Sequence, residues 1–152
     1  MGFRRFSTRL CLVLLFLWAM AAPLPLAQAA ERSWLRVQYD PDVSAQTRTH
    51  VEAAVDLVAD MLTEYRLPLS NPITVLVTAD VATYEKTLIQ YGMSAEEARK
   101  YAQSSSGVSL GNRPIILLNG TKALHNKREE VYRVLPPEVF HQVQTQFGLT
   151  PH

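Results

Sequence analysis

The chain has 152 residues, 47% of them hydrophobic and 19% charged, with 15 Lys and Arg against 14 Asp and Glu. Its basic residues are scattered and no aromatic residues interleave with them, which argues against a nucleic-acid surface. The single cysteine, Cys11, excludes a disulfide framework.

The N-terminus reads as a secretory signal. Arg4, Arg5 and Arg9 form a basic n-region, and Leu10 to Ala22 an apolar h-region of 13 residues. Pro23 and Pro25 precede a small-residue cleavage site at Ala27-Gln28-Ala29. A spanning helix takes about 20 apolar residues, so the stretch suits export better than a stable anchor. Removal of residues 1–29 takes the three arginines and Cys11 with it. The 15 basic residues fall to 12 against 14 acidic ones, and net charge moves from +1 to about −2. Residues 30–152 then suffice for one compact domain, secreted or otherwise extracytoplasmic (periplasm or cell surface), with no stable membrane span.

Along that domain, Trp34 to Tyr39 alternates apolar and polar residues, the period of a half-buried strand. After a turn at Asp40-Pro41-Asp42, the spacing of Val51, Ala54, Val55, Val58, Leu62 and Tyr65 predicts an amphipathic helix from about Ser44 to Tyr65. The β-branched run Ile73 to Thr78 predicts a strand. Asp80 caps a helix to about Tyr91, with Gly92 at its stop, and Ser94 with Glu97 forms a capping box for a short helix to about Ala102. Val108 to Leu110 and Pro114 to Leu118 read as a hairpin through Gly111-Asn112. A last helical region runs from near Asn126 to Gly148. Neither Pro136 nor Pro137 has a backbone N–H, and each disfavours helix in the residue before it, so a break is expected at Leu135 to Pro137.

Residues 137 to 141 read Pro-Glu-Val-Phe-His, one residue from the H-E-x-x-H signature. In that signature two histidines four apart bind zinc on one helix face, and the Glu between them is general base on the metal-bound water. Glu138 and His141 match the base and the second ligand; Pro137 replaces the first His. A Glu and a His three apart are, without context, most often a solvated helix face. Val139, Val143 and Phe147 form the stripe expected to face the core, leaving Glu138, His141 and Thr145 on another face.

With this element order, the stretches Gly107 to Asn119 and Leu135 to Gln144 make the chain resemble the N-terminal half of gluzincin-type zinc metallopeptidases. The resemblance implies an α+β, zincin-like domain with a small mixed sheet packed against helices. It implies zinc as cofactor, a peptide as substrate, Glu138 as general base and His141 as zinc ligand. It also implies that Ile115, Ile116, Leu117 and Leu118 are a substrate-binding edge, although four apolar residues in a row suit a core strand equally well. The family's third ligand, a Glu, comes from well downstream of the signature, and this sequence ends 11 residues after His141. The expectation is therefore a catalytically incomplete relative, apparently truncated, binding zinc weakly or not at all. A disrupted true peptidase and a non-enzymatic extracytoplasmic binding module are the alternatives. The other histidines, His50, His125 and His152, have no recognisable ligand spacing.

Overall fold

The computed structural model describes residues 34–67, 69–111, 113–120 and 128–148. The signal segment, His125 and His152 lie outside them. The described elements are β1 (Leu35–Tyr39), α1 (Ala45–Glu64), β2 (Ile73–Thr78), α2 (Val81–Gln90), α3 (Ala95–Ser104), β3 (Gly107–Ser109), β4 (Ile115–Asn119) and α4 (Arg128–Gln146). They make an α+β fold around a mixed four-stranded sheet in the order β1-β2-β4-β3. β1, β2 and β4 run parallel, and β3 returns antiparallel to β4 as the expected hairpin.

Local chemistry sets the helix starts where the sequence places them. Ser44 Oγ accepts from Thr47 N–H at 3.1 Å and Asp80 Oδ1 accepts from Thr83 N–H at 2.7 Å, each satisfying an orphan donor of the first turn. Ser94 and Glu97 close the reciprocal capping box at the start of α3.

The sheet is covered on both faces. α1 and α4 pack on one face, where Val51, Val55, Val58 and Leu62 meet Ile73, Val75, Val77, Ile116 and Leu118 and the stripe Val131, Leu135, Val139 and Val143. α2 and α3 form a smaller core on the other face, with Tyr84, Leu88, Ala98 and Ala102 around Leu117. Alternation along β4 explains the split: Ile116 and Leu118 point one way and Leu117 the other.

Two expectations about the last helix are overturned. α4 continues as one helix through Pro136 and Pro137, with no interruption at Leu135. Each interior proline costs about 3 kcal/mol. Against this, Val131, Leu135, Val139 and Val143 are at most 3% exposed, four residues on successive turns facing one core. Burial of each such side chain contributes about 1.5–3 kcal/mol, so the packed stripe outweighs the local penalty on both sides of the proline pair. Pro137 and Arg133 also lie on the exposed side, where a carbonyl lacking its helical donor can bind water. The second correction is Phe147, which is 47% exposed and lies beyond the core stripe, because the helix ends at Gln146 and Gly148 turns the chain with φ of 70°.

Candidate functional site

Glu138 and His141 lie one turn apart on α4, and their polar atoms engage different partners. Glu138 is half-buried, and its Oε2 accepts from the backbone N–H of Ser109 in β3 at 2.7 Å. His141 is exposed, with Nδ1 3.3 Å from Gln144 Oε1, while Thr145 Oγ1 donates to the His141 carbonyl at 2.9 Å. Burial pushes the Glu138 carboxyl above its ordinary value; the Ser109 amide and the nearby His141 partly counter this by favouring the charged form.

The contact with Ser109 depends on how closely α4 lies against the hairpin. Gly107 permits that approach. A Cβ there would stand 2.6 Å from Val134 Cγ1 and 2.9 Å from Leu118 Cδ2. Gln142 then fastens the two together. It is 1% exposed, and its Nε2 donates to Ser109 Oγ at 2.6 Å, to Arg113 O at 2.8 Å and to Ile115 O at 3.2 Å. A buried side-chain amide with its donors satisfied by the hairpin fixes the helix against the sheet. Neither Ser109 nor Gln142 stands out in the sequence as functional. The available signal was a polar residue placed in the apolar spacing of Leu135, Val139 and Val143.

Tyr84 approaches β3 from the other face of the sheet, near Ser105. Its hydroxyl is buried there without a hydrogen-bond partner. Desolvation pushes the Tyr84 hydroxyl up to about 12.

Ile115, Ile116, Leu117 and Leu118 do not form a free edge. They lie in β4, paired with β2 on one side and β3 on the other, and the last three are fully buried. The core-strand reading holds for them. Among the described residues the free edge on this side of the sheet is β3.

Among the described residues no three His, Cys, Asp or Glu side chains gather as a metal set. His50 is half-buried, with Nδ1 enclosed and unpartnered. Asn119, the first residue of an Asn-Gly-Thr sequence, is 2% exposed, and its Nδ2 donates to Ala102 O and Ser105 O, so it serves the core. An apolar groove of about 370 Å³ opens between α1 and α4, walled by Met61, Tyr65, Leu67, Pro136 and Phe140, and Glu138 and His141 are not among its walls. No helix among the described residues is long and apolar enough to cross a membrane. No protein-family model, curated protein or solved structure matches the chain.

Proposed function

We propose that this chain is an exported, gluzincin-like relative of the zinc metallopeptidases whose hydrolytic site is incomplete. Glu138 stands at the general-base position, His141 at the second-ligand position, and Pro137 where the first imidazole belongs. The observation that carries the reading is the placement of Glu138 and His141 one turn apart on a helix beside the outermost strand of the sheet.

The donors present do not fit a catalytic zinc, which takes three protein ligands and an open water position. Proline offers no donor atom, and the Glu138 carboxylate is engaged with the Ser109 amide. A water beside Glu138 without metal keeps its ordinary high pKa and is a poor nucleophile at neutral pH. Elemental analysis of the purified processed chain is expected to give substoichiometric zinc, with no chelator-sensitive cleavage of a generic peptide. Stoichiometric zinc together with cleavage abolished by Glu138→Gln would instead establish an active peptidase.

A second reading, a non-enzymatic extracytoplasmic binding module on the same fold, is favoured by the apolar groove between α1 and α4. Groove occupancy by an amphipathic peptide, unaffected by chelator and weakened by Phe140→Ser, would support it.

A further inference from the structure

The groove between α1 and α4 combines uncharged walls with an acidic rim on one side. Met61 and Tyr65 of α1 and Pro136 and Phe140 of α4 form its sides over a floor of buried core residues. Met61, Tyr65 and Phe140 are 40%, 65% and 56% exposed, and Leu57, at 40%, continues the α1 side by another turn. Leu57, Met61 and Tyr65 follow one another at spacing four, so they make one stripe about 12 Å long. Large apolar side chains gathered on one surface mark an interaction site, whereas scattered ones are ordinary.

Glu64 lies three residues after Met61, and Asp60 four before Glu64, which puts both carboxylates along the outer flank of that stripe. Both residues are exposed. The described ion pairs, Glu85–Arg99 and Glu130–Arg133, include neither. On the α4 side the residues three before and four after Phe140 are Pro137 and Gln144, which carry no charge. Arg66 is exposed past the end of α1, and Arg133 is held by Glu130 at 3.6 Å.

Three kinds of occupant fit such a groove poorly. An anionic membrane surface would be repelled by Asp60 and Glu64. A second copy seated by the same face would bring its own Asp60 and Glu64 to the contact. An extended peptide would meet helix side chains rather than a strand edge, leaving its main-chain groups unpaired. A helix satisfies its own main chain and presents apolar side chains at every third or fourth position, which suits a slot about two turns long.

We propose that the groove takes an amphipathic helix of a cationic partner protein. Its apolar face fills the space beside Tyr65 and Phe140, and its Lys or Arg side chains meet Asp60 and Glu64. The inference rests on the binding-module reading of the groove and adds the shape and charge of the partner; it does not depend on the zinc site.

The test uses two synthetic helical peptides with the same apolar face, one flanked by lysines and one by glutamates, titrated into the exported chain by fluorescence anisotropy. The lysine peptide is expected to bind about tenfold more tightly, the scale set when two exposed charge pairs exchange attraction for repulsion. At about 1 M salt, where charges act over only about 3 Å, that preference should shrink to about twofold or less. Asp60→Asn with Glu64→Gln, both at exposed positions, should remove the preference and leave glutamate-peptide binding no weaker. Phe140→Ser should weaken both peptides. Equal binding of the two peptides, or a lysine preference that survives Asp60→Asn with Glu64→Gln, overturns the proposal while the groove remains a binding site. Absence of binding by either peptide, or binding indifferent to Phe140→Ser, overturns the groove reading as well. Self-association weakened by Phe140→Ser, or binding to phosphatidylglycerol vesicles lost in that variant, would give the groove to a second copy or to a membrane and reject the cationic helix.

Discussion

Glu138 and Gln142, one turn apart on α4, grip the same residue of β3: Glu138 accepts from the Ser109 amide at 2.7 Å, and Gln142 donates to the Ser109 hydroxyl at 2.6 Å. The residue that resembles a catalytic base thus doubles as a fastener between the last helix and the sheet edge. Its partner in that task lies outside the P-E-V-F-H motif. The helix is consequently fixed in register with the hairpin, despite the two prolines within it.

Replacement of Gln142 tests that grip. Gln142→Leu keeps the volume but removes the donor; Arg113 O and Ile115 O keep the Ile115 and Leu110 N–H groups, so Ser109 Oγ is the acceptor left without its partner. An acceptor left unsatisfied in a desolvated contact costs about 1–3 kcal/mol. A fall in the urea midpoint of that size with an unchanged slope is expected; a midpoint equal to that of the parent would mean the three bonds contribute nothing net.

Gly107 tests the close approach of α4 to β3. In Gly107→Ala the added carbon overlaps Val134 Cγ1 and Leu118 Cδ2, and overpacking of this kind costs about 1–3 kcal/mol. Val134→Ala in the same chain should recover part of the loss. A double-mutant cycle is expected to give a coupling above about 0.5 kcal/mol; strict additivity would place the strain elsewhere.

Pro137 separates stability from metal affinity. Pro137→Ala restores an N–H to the helix opposite the Arg133 carbonyl. It should raise stability by roughly 2–2.5 kcal/mol, after allowance for the freer unfolded chain. Pro137→His should share much of that gain and also bind zinc about tenfold or more tightly than Pro137→Ala, because an imidazole joins His141 four positions on. Neither variant should hydrolyse peptide. Equal zinc affinity in the two, measured by competition with a chromogenic chelator, would mean His141 is not a ligand.

The buried Glu138 carboxyl predicts a pH dependence whose sign follows from its raised pKa. The folded chain holds this proton more tightly than the unfolded chain. The associated stability is fully present below the ordinary glutamate value of about 4.5 and is lost as pH rises through the raised folded value. Glu138→Gln cannot titrate. Melting temperatures of the two chains should therefore diverge on going from acid to neutral pH, the parent losing ground. Parallel melting curves across that window would show that the carboxyl titrates at its ordinary value.

Much of this protein is legible from sequence, because most of its elements begin and end on local chemistry. Ser44, Asp80 and the Ser94–Glu97 box start three helices through contacts within one turn. Ile73 to Thr78 is rich in β-branched residues, and the hairpin after Ser106 is signalled by Gly111, which turns the chain with φ of 55°. The pairing of Glu138 with His141 on one helix is likewise a matter of spacing. Three features required the tertiary structure. The helix persists through Pro136-Pro137 because a buried stripe of four residues on successive turns outweighs a local penalty that no neighbouring residue offsets. Four apolar residues in β4 do not disclose whether their strand lies at an edge or inside, since that depends on where the far-separated β2 pairs. The engagement of Glu138 with Ser109, and of Gln142 with Ser109, joins residues about 30 positions apart. Spacing along one helix specifies which side chains are neighbours there; only the packed sheet specifies what those side chains meet.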